Sequence, residues 1–206
     1  PNGFLAVTPF IHSGAMARTV ADVALMTRVM AGFHPRDPYA IPDEPDWEPH
    51  AERGLQALRV AFSPDLGAFP VESRVADVVA AAVTDLANHG AAVSEVTLSI
   101  GDREELCSCW TRQHAVRTAT VAATFARQGI DLMTAHRDEL TSEFATSVEL
   151  GQQLSALDVE LDSILRTRVL DTFADVFDHY DVLVCPTVGI APVLNADDGT
   201  TTGPSE

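Results

Sequence analysis

Apolar positions follow two different spacings along this chain, and the order of the spacings predicts its architecture. Leu58, Val60 and Phe62 alternate with Arg59 and Ala61, the two-residue period of a short strand, and Ser63-Pro64-Asp65 turns the chain away. Over residues 73–89, Val75, Val78, Val79, Ala82, Val83 and Leu86 fall at i, i+3, i+4, i+7, i+8 and i+11. That stripe predicts an amphipathic helix ended by Gly90. Residues 93–98 alternate again. Strand, helix and strand with short links predict a βαβ crossover with parallel pairing over residues 57–98.

The second half reads as helical. Asp102-Arg103-Glu104-Glu105 offers a cap followed by acidic first-turn residues, which predicts a long helix toward Arg127, before Gly129. Leu140, Phe144 and Val148 at fourfold spacing predict another from about 136 to 150. After Gly151 the run through Leu154, Leu157, Leu161, Ile164, Leu165, Val169, Phe173, Val176 and Phe177 keeps helical period to His179. Residues 180–187 read as a buried strand stopped by Pro186.

Near the other end, Thr19-Val20-Ala21-Asp22 has the form of a capping box, so a helix is expected to start there. Val20, Val23, Ala24, Leu25, Val29 and Met30 predict that most of its circumference is buried, with Gly32 as a left-handed stop. Gly14 is read as permitting backbone angles or close approaches closed to other residues, and Arg18 as tying carbonyls or a carboxylate to the turn. Turn and cap geometry account for Gly14, Arg18 and Asp22 without substrate contact. Five prolines within residues 33–53 predict an extended surface connection, and the polar residues 195–206 a loop or frayed tail.

Composition narrows the function classes. The chain has 206 residues, 46% of them hydrophobic, so it is long enough to bury a sizeable core. Thirty acidic residues stand against thirteen arginines and no lysine, a net charge of −17, which argues against a nucleic-acid surface. No stretch approaches the roughly 20 apolar residues of a membrane span. Cys107, Cys109 and Cys185 lack zinc spacing and are expected to be reduced packing residues of a cytoplasmic protein. His136-Arg137-Asp138-Glu139 reads as a solvated helix face rather than a metal site, and neither metal nor cofactor is expected. The first residue is Pro1 rather than Met, so the chain is expected to begin inside something longer.

Gly14 to Asp22, His34-Pro35-Arg36-Asp37-Pro38, the strand-helix-strand unit, the long helices and a strand running into Pro186-Thr187 resemble, in that order, the later part of amidase signature enzymes. The resemblance runs to about Pro192; Ala15 stands where that family usually has proline. It implies an α/β/α sandwich with a mixed sheet covered by helices, here partial and truncated at both ends. Residues 1–194 would be a partial amidase domain. It would comprise a turn and capped helix (14–32), a linker (33–54), the βαβ unit (57–98) and helices with a final strand (102–187). The implied chemistry is acyl transfer: a serine attacks an amide carbonyl while a lysine, through a second serine, moves the protons. Those three residues are expected upstream, so no catalytic residue is assigned to this chain.

What the chain would contribute under that resemblance is a wall of the substrate pocket. His12 is a candidate from its place before the turn, and Thr187 because the end of a parallel strand tends to face a ligand crevice. No Gly-x-Ser-x-Gly elbow offers an independent serine hydrolase, and His12-Ser13 are neighbours whose side chains rarely converge. Three readings stay open: an amidase acting on a small carboxamide, a glutaminase-type subunit of a tRNA-dependent amidotransferase, and a non-catalytic interaction module. Self-association is expected where sheet edges lack cover.

Overall fold

The computed structural model describes residues 14–37, 40 and 54–191. The chain divides into two compact units, Pro1–Gly54 and Leu55–Glu206.

In the first unit, helix α1 spans Val20–Met30. Thr19 is extended, and its hydroxyl oxygen accepts the Asp22 N–H at 3.1 Å. Asp22 reaches back to the Thr19 hydroxyl, which donates to Oδ2 at 2.8 Å, so the box closes through side chains. The helix leaves through an extended Ala31, whose N–H bonds Thr27; Gly32, at φ +131°, follows outside the left-handed helical range. The expected left-handed stop is therefore an extended exit. The expectation of a buried circumference also fails, because no α1 residue is buried and Val20 and Val29 are each 80% exposed. Periodicity records which face a helix has available to bury, whereas burial requires a second element, and the described residues of this unit contain none. Residues 33–37 make a turn in which Asp37 N–H bonds His34 O at 2.9 Å. Most of the proline-rich connection lies outside the described residues, as does the 195–206 tail.

The second unit is built on three strands: β1 (Arg59–Phe62), β2 (Ala92–Glu95) and β3 (Val182–Val184). Their order is β2-β1-β3, and both pairings are parallel. The expected mixed sheet has no antiparallel member among the described residues, because helices carry both connections. Helix α2 (Ser73–Asn88) links β1 to β2, confirming the βαβ unit. It ends in a Schellman motif: Gly90 N–H bonds Ala87 O and Ala91 N–H bonds Leu86 O, with Gly90 at φ +102°. Val83 is the buried residue of α2, and Val78 faces outward, 68% exposed, at the margin of the predicted stripe. Strand β2 stops at Glu95, earlier than its alternation implied; Leu98 and Ile100 continue inward as core residues without strand pairing.

Three more helices join β2 to β3: α3 (Arg103–Arg127), α4 (Ser142–Gln153) and α5 (Ala156–His179). Asp102 caps α3 as expected, accepting from Glu104 N–H at 2.8 Å. The helix expected from 136 to 150 is instead a single 3₁₀ turn, Arg137–Glu139, followed by α4. Leu140 is extended and the Thr141 hydroxyl caps a fresh start by accepting the Phe144 N–H, so one apolar period spans two elements. Gly151, read as a separator, lies inside α4. A Cβ there would sit 2.1 Å from Ala115 O and 2.9 Å from the Ala119 Cβ, so glycine lets α4 press against α3. Ala115, Ala145 and Val148 are fully buried at that contact. Ser155 begins α5 with a complete capping box to Asp158. One core cluster packs Ala61, Leu98, Ile100 and Val176, with Phe173, Val169 and Leu183 against it, joining α5 to the sheet.

Candidate functional site

The central strand has neighbours reached in opposite directions, β2 by a local crossover and β3 by a return of some ninety residues. In open parallel sheets, ligands tend to bind at the carboxyl ends of the strands beside such a reversal. Two segments follow the strands there: residues 63–69 after β1 and residues 185–191 after β3.

The first segment has a tightly specified backbone. Ser63 N–H bonds Val184 O at 2.9 Å, extending the ladder by one residue, and Ser63 itself is fully buried with an unpartnered hydroxyl. Asp65 Oδ1 accepts the Gly67 N–H at 2.7 Å. Leu66 takes φ +56°, the one non-glycine residue with positive φ among those described, and Gly67 follows at +73°. A Cβ on Gly67 would lie 2.0 Å from Leu98 O, so the turn closes on the segment following β2 only with glycine.

The second segment carries Cys185, half-buried, then Pro186, Thr187 and Val188, with Thr187 exposed and Val188 58% exposed. Thr187 thus stands just past the carboxyl end of β3. Gly189 returns the chain to the start of α2, where its carbonyl accepts the Glu72 N–H at 2.8 Å. No cluster of histidine, cysteine or carboxylate with metal-binding geometry occurs among the described residues.

Of the other sequence candidates, His12 lies outside the described residues. Gly14, Arg18, Thr19 and Asp22 belong to the first unit, and only Thr19 and Asp22 are joined. Among the described residues a Cβ at Gly14 would meet nothing within 4 Å, and the Gly14 φ is not positive. Arg18 is exposed and ties no carbonyl or carboxylate among the described residues; the α1 start is held by Thr19 together with Asp22.

Sequence reasoning missed a buried polar cluster between α3 and α5. Asp162, 3% exposed, accepts from Arg112 through Nε at 3.0 Å and through Nη2, and from Gln113 Nε2 at 3.0 Å. Burial, reinforced by the Asp162 charge, pushes the Cys109 thiol up, which keeps it protonated and inert. A cavity of about 330 Å³ opens beside this cluster, but its charges pair among themselves: Arg112 with Asp162, and Arg168 with Glu105 at 2.5 Å. Asp162 sits on the apolar-rich run that predicted α5, and nothing in its spacing marks it as buried. Among the described residues, no helix is long and apolar enough to cross a membrane.

The family model described as Amidase matches residues 7–205. An amidase of Pseudomonas putida is 28% identical over 188 residues, covering 91% of this chain and 38% of its own length. One subunit of the glutamyl-tRNA(Gln) amidotransferase of Pseudomonas putida is 36% identical over 88 residues, 42% of this chain and 18% of its own length. A bacterial aryl acylamidase of the amidase signature family superimposes with a TM-score of 0.84 at 32% identity, covering 92% of this chain and 39% of that structure. The chain therefore spans well under half the length of these relatives.

Proposed function

The chain belongs to the amidase family, and from that premise we propose that it is the pocket-wall and sheet portion of an enzyme hydrolysing a carboxamide to an acid and an amine or ammonia. The observation carrying this reading is the family match over residues 7–205, which takes in the segments after β1 and β3. The family resemblance supplies the chemistry. A serine oxygen bonds to the amide carbonyl carbon, the C–N bond breaks, and the departing nitrogen takes a proton delivered by the lysine through the second serine. Water then cleaves the acyl ester and restores the serine. These groups belong to the segment expected upstream of Pro1, and this chain contains no lysine to stand in for one.

The role of this chain is to hold the acyl or leaving group. Thr187 and His12 are the proposed wall residues. The likeness to an aryl acylamidase makes an anilide the first substrate to assay, with aliphatic carboxamides beside it. A net charge of −17 with arginine as the only fixed cation supports a small neutral substrate over a polyanion, and a cytoplasmic setting suits the free cysteines. The amidotransferase reading rests on the shorter match over 42% of the chain and would require partner subunits.

Ammonia or aniline release decides between these readings. The 206-residue chain alone is expected to show none above background, and the protein extended upstream of Pro1 is expected to show saturable release blocked by a serine-directed phosphonate. Saturable, phosphonate-sensitive release by the 206-residue chain itself would overturn the assignment of catalysis to an upstream segment. Release from glutamine alone, and only with partner subunits present, would favour the amidotransferase.

A further inference from the structure

A helix N-cap side chain ordinarily accepts an N–H of its own first turn, which is why short Ser, Thr, Asp and Asn dominate the position. Glu72, the N-cap of α2, makes no such bond. Its Oε2 accepts the Ala191 N–H instead, at 3.3 Å and 119 residues away in sequence. The same residue's backbone N–H donates to Gly189 O at 2.8 Å, and Arg74 Nη2 lies 3.9 Å from Oε2. Gly189 completes the arrangement, since a Cβ there would fall 2.6 Å from Pro70 O. The loop after β3 is therefore anchored twice. At one end β3 pairs with the central strand; at the other, Glu72 straps residues 189–191 to the start of α2. Thr187 and Val188 are carried between the anchors, both exposed.

Resting on the amidase reading above, we propose that Glu72 is a positioning residue: through Ala191, its carboxylate fixes the loop that carries Thr187, the wall residue proposed above, and so sets substrate affinity. A strapped loop has little conformational entropy left to lose when a ligand packs on it, whereas a loosened loop must be ordered at each binding event. The cost falls equally on ground state and transition state, so it appears in KM and not in kcat. The Glu72 side chain is only partly exposed, 31%, which protects its bond from water.

Two measurements test this with Glu72→Ala and Glu72→Gln. In hydrogen exchange on the 206-residue chain, Glu72→Ala is expected to speed the amides of residues 187–191 about tenfold, the range for losing a charge-assisted bond. Glu72→Gln, whose carbonyl oxygen still accepts, is expected to stay near the unsubstituted rate. In the protein extended upstream of Pro1, Glu72→Ala is expected to raise KM for an anilide about tenfold with kcat nearly unchanged, and Glu72→Gln to restore most of it. Unchanged exchange in Glu72→Ala overturns the strap whatever the activity. Faster exchange with unchanged KM overturns the positioning role. If the unsubstituted extended protein releases no amine from any carboxamide, the amidase reading fails and the role with it, while the exchange data still show whether the strap exists. Should Glu72→Ala not fold, Gly189→Ala breaks the same strap from the opposite side and is judged by the same readouts.

Discussion

Asp181 and Arg59 show how one residue pair fixes the start of two strands. The carboxylate accepts Arg59 Nη2 at 2.6 Å, Nε at 3.1 Å and the Arg59 backbone N–H at 2.9 Å, while Asp181 N–H returns to Arg59 O. These bonds hold β3 beside β1 at the amino ends of both strands. The guanidinium hydrogen bond holds the Asp181 carboxyl down to about 2, below its ordinary 3.8. A depressed carboxyl contributes stability that is fully present above its unfolded pKa and lost as pH falls through the folded value. Melting temperature of the native chain is therefore expected to exceed that of Asp181→Asn near pH 6, and the gap to close between about pH 4 and pH 2. A gap that stays constant through that window would show that the bonds do not depend on the charge. The pair is exposed, so the gap is expected to narrow in high salt as well.

At the scale of elements, the same local rules give different outcomes depending on what lies beside them. Exposed glycine within a helix costs about 1 kcal/mol relative to alanine, so replacing it usually stabilises. Gly151→Ala is expected to do the reverse, because its Cβ meets the Ala115 carbonyl and forces α3 and α4 apart. A loss of about 1–3 kcal/mol in denaturant unfolding is the expected result of that overpacking. An increase in stability would mean the helices separate freely. The caps give a paired comparison. Ser155→Ala, in a complete box at α5, and Thr19→Ala, at α1, should each cost their own helix about 0.5–2 kcal/mol. Only the first is expected to register fully in the melt of the second unit, since Ser155 starts the helix that carries Val169, Phe173 and Val176 into the core cluster. Residue-resolved exchange over α1 and α5 separates the two effects.

Across the molecule, charge and apolar exposure pull in opposite directions. Leu157, Leu161 and Ile164 on α5 and Trp110 on α3 are each more than half exposed, and β2 and β3 are unpaired on their outer sides among the described strands. Such faces favour association, whereas a net charge of −17 opposes it. The 206-residue chain is expected to associate reversibly and more strongly as salt screens the charge, with light scattering after size exclusion as the measurement. A monomer at all salt concentrations with one cooperative melt would refute this.

The sequence by itself determined the elements whose signals are local. The period-two run at residues 58–62, the Asp102 cap, the helical stripe of residues 73–89 and the stop at Gly90 all depend on neighbours within a few positions, and each forms where its pattern lies. The motif order likewise carried the family, which the match over residues 7–205 bears out. Tertiary structure decided what depends on distant partners. Gly151 reads as a separator until α3 lies against it, and the α1 stripe reads as buried although burial is a property of contacts, not of spacing. Asp162 and Glu72 look like ordinary surface carboxylates because their donors lie 50 and 119 residues away. Thr187 became a candidate wall residue through a rule about strand ends, but what anchors its loop emerged only once β3 had paired with β1 and brought Gly189 against Pro70. Backbone propensity acts over one or two turns of chain; close approach, charge pairing and burial are settled by which segments the fold makes adjacent.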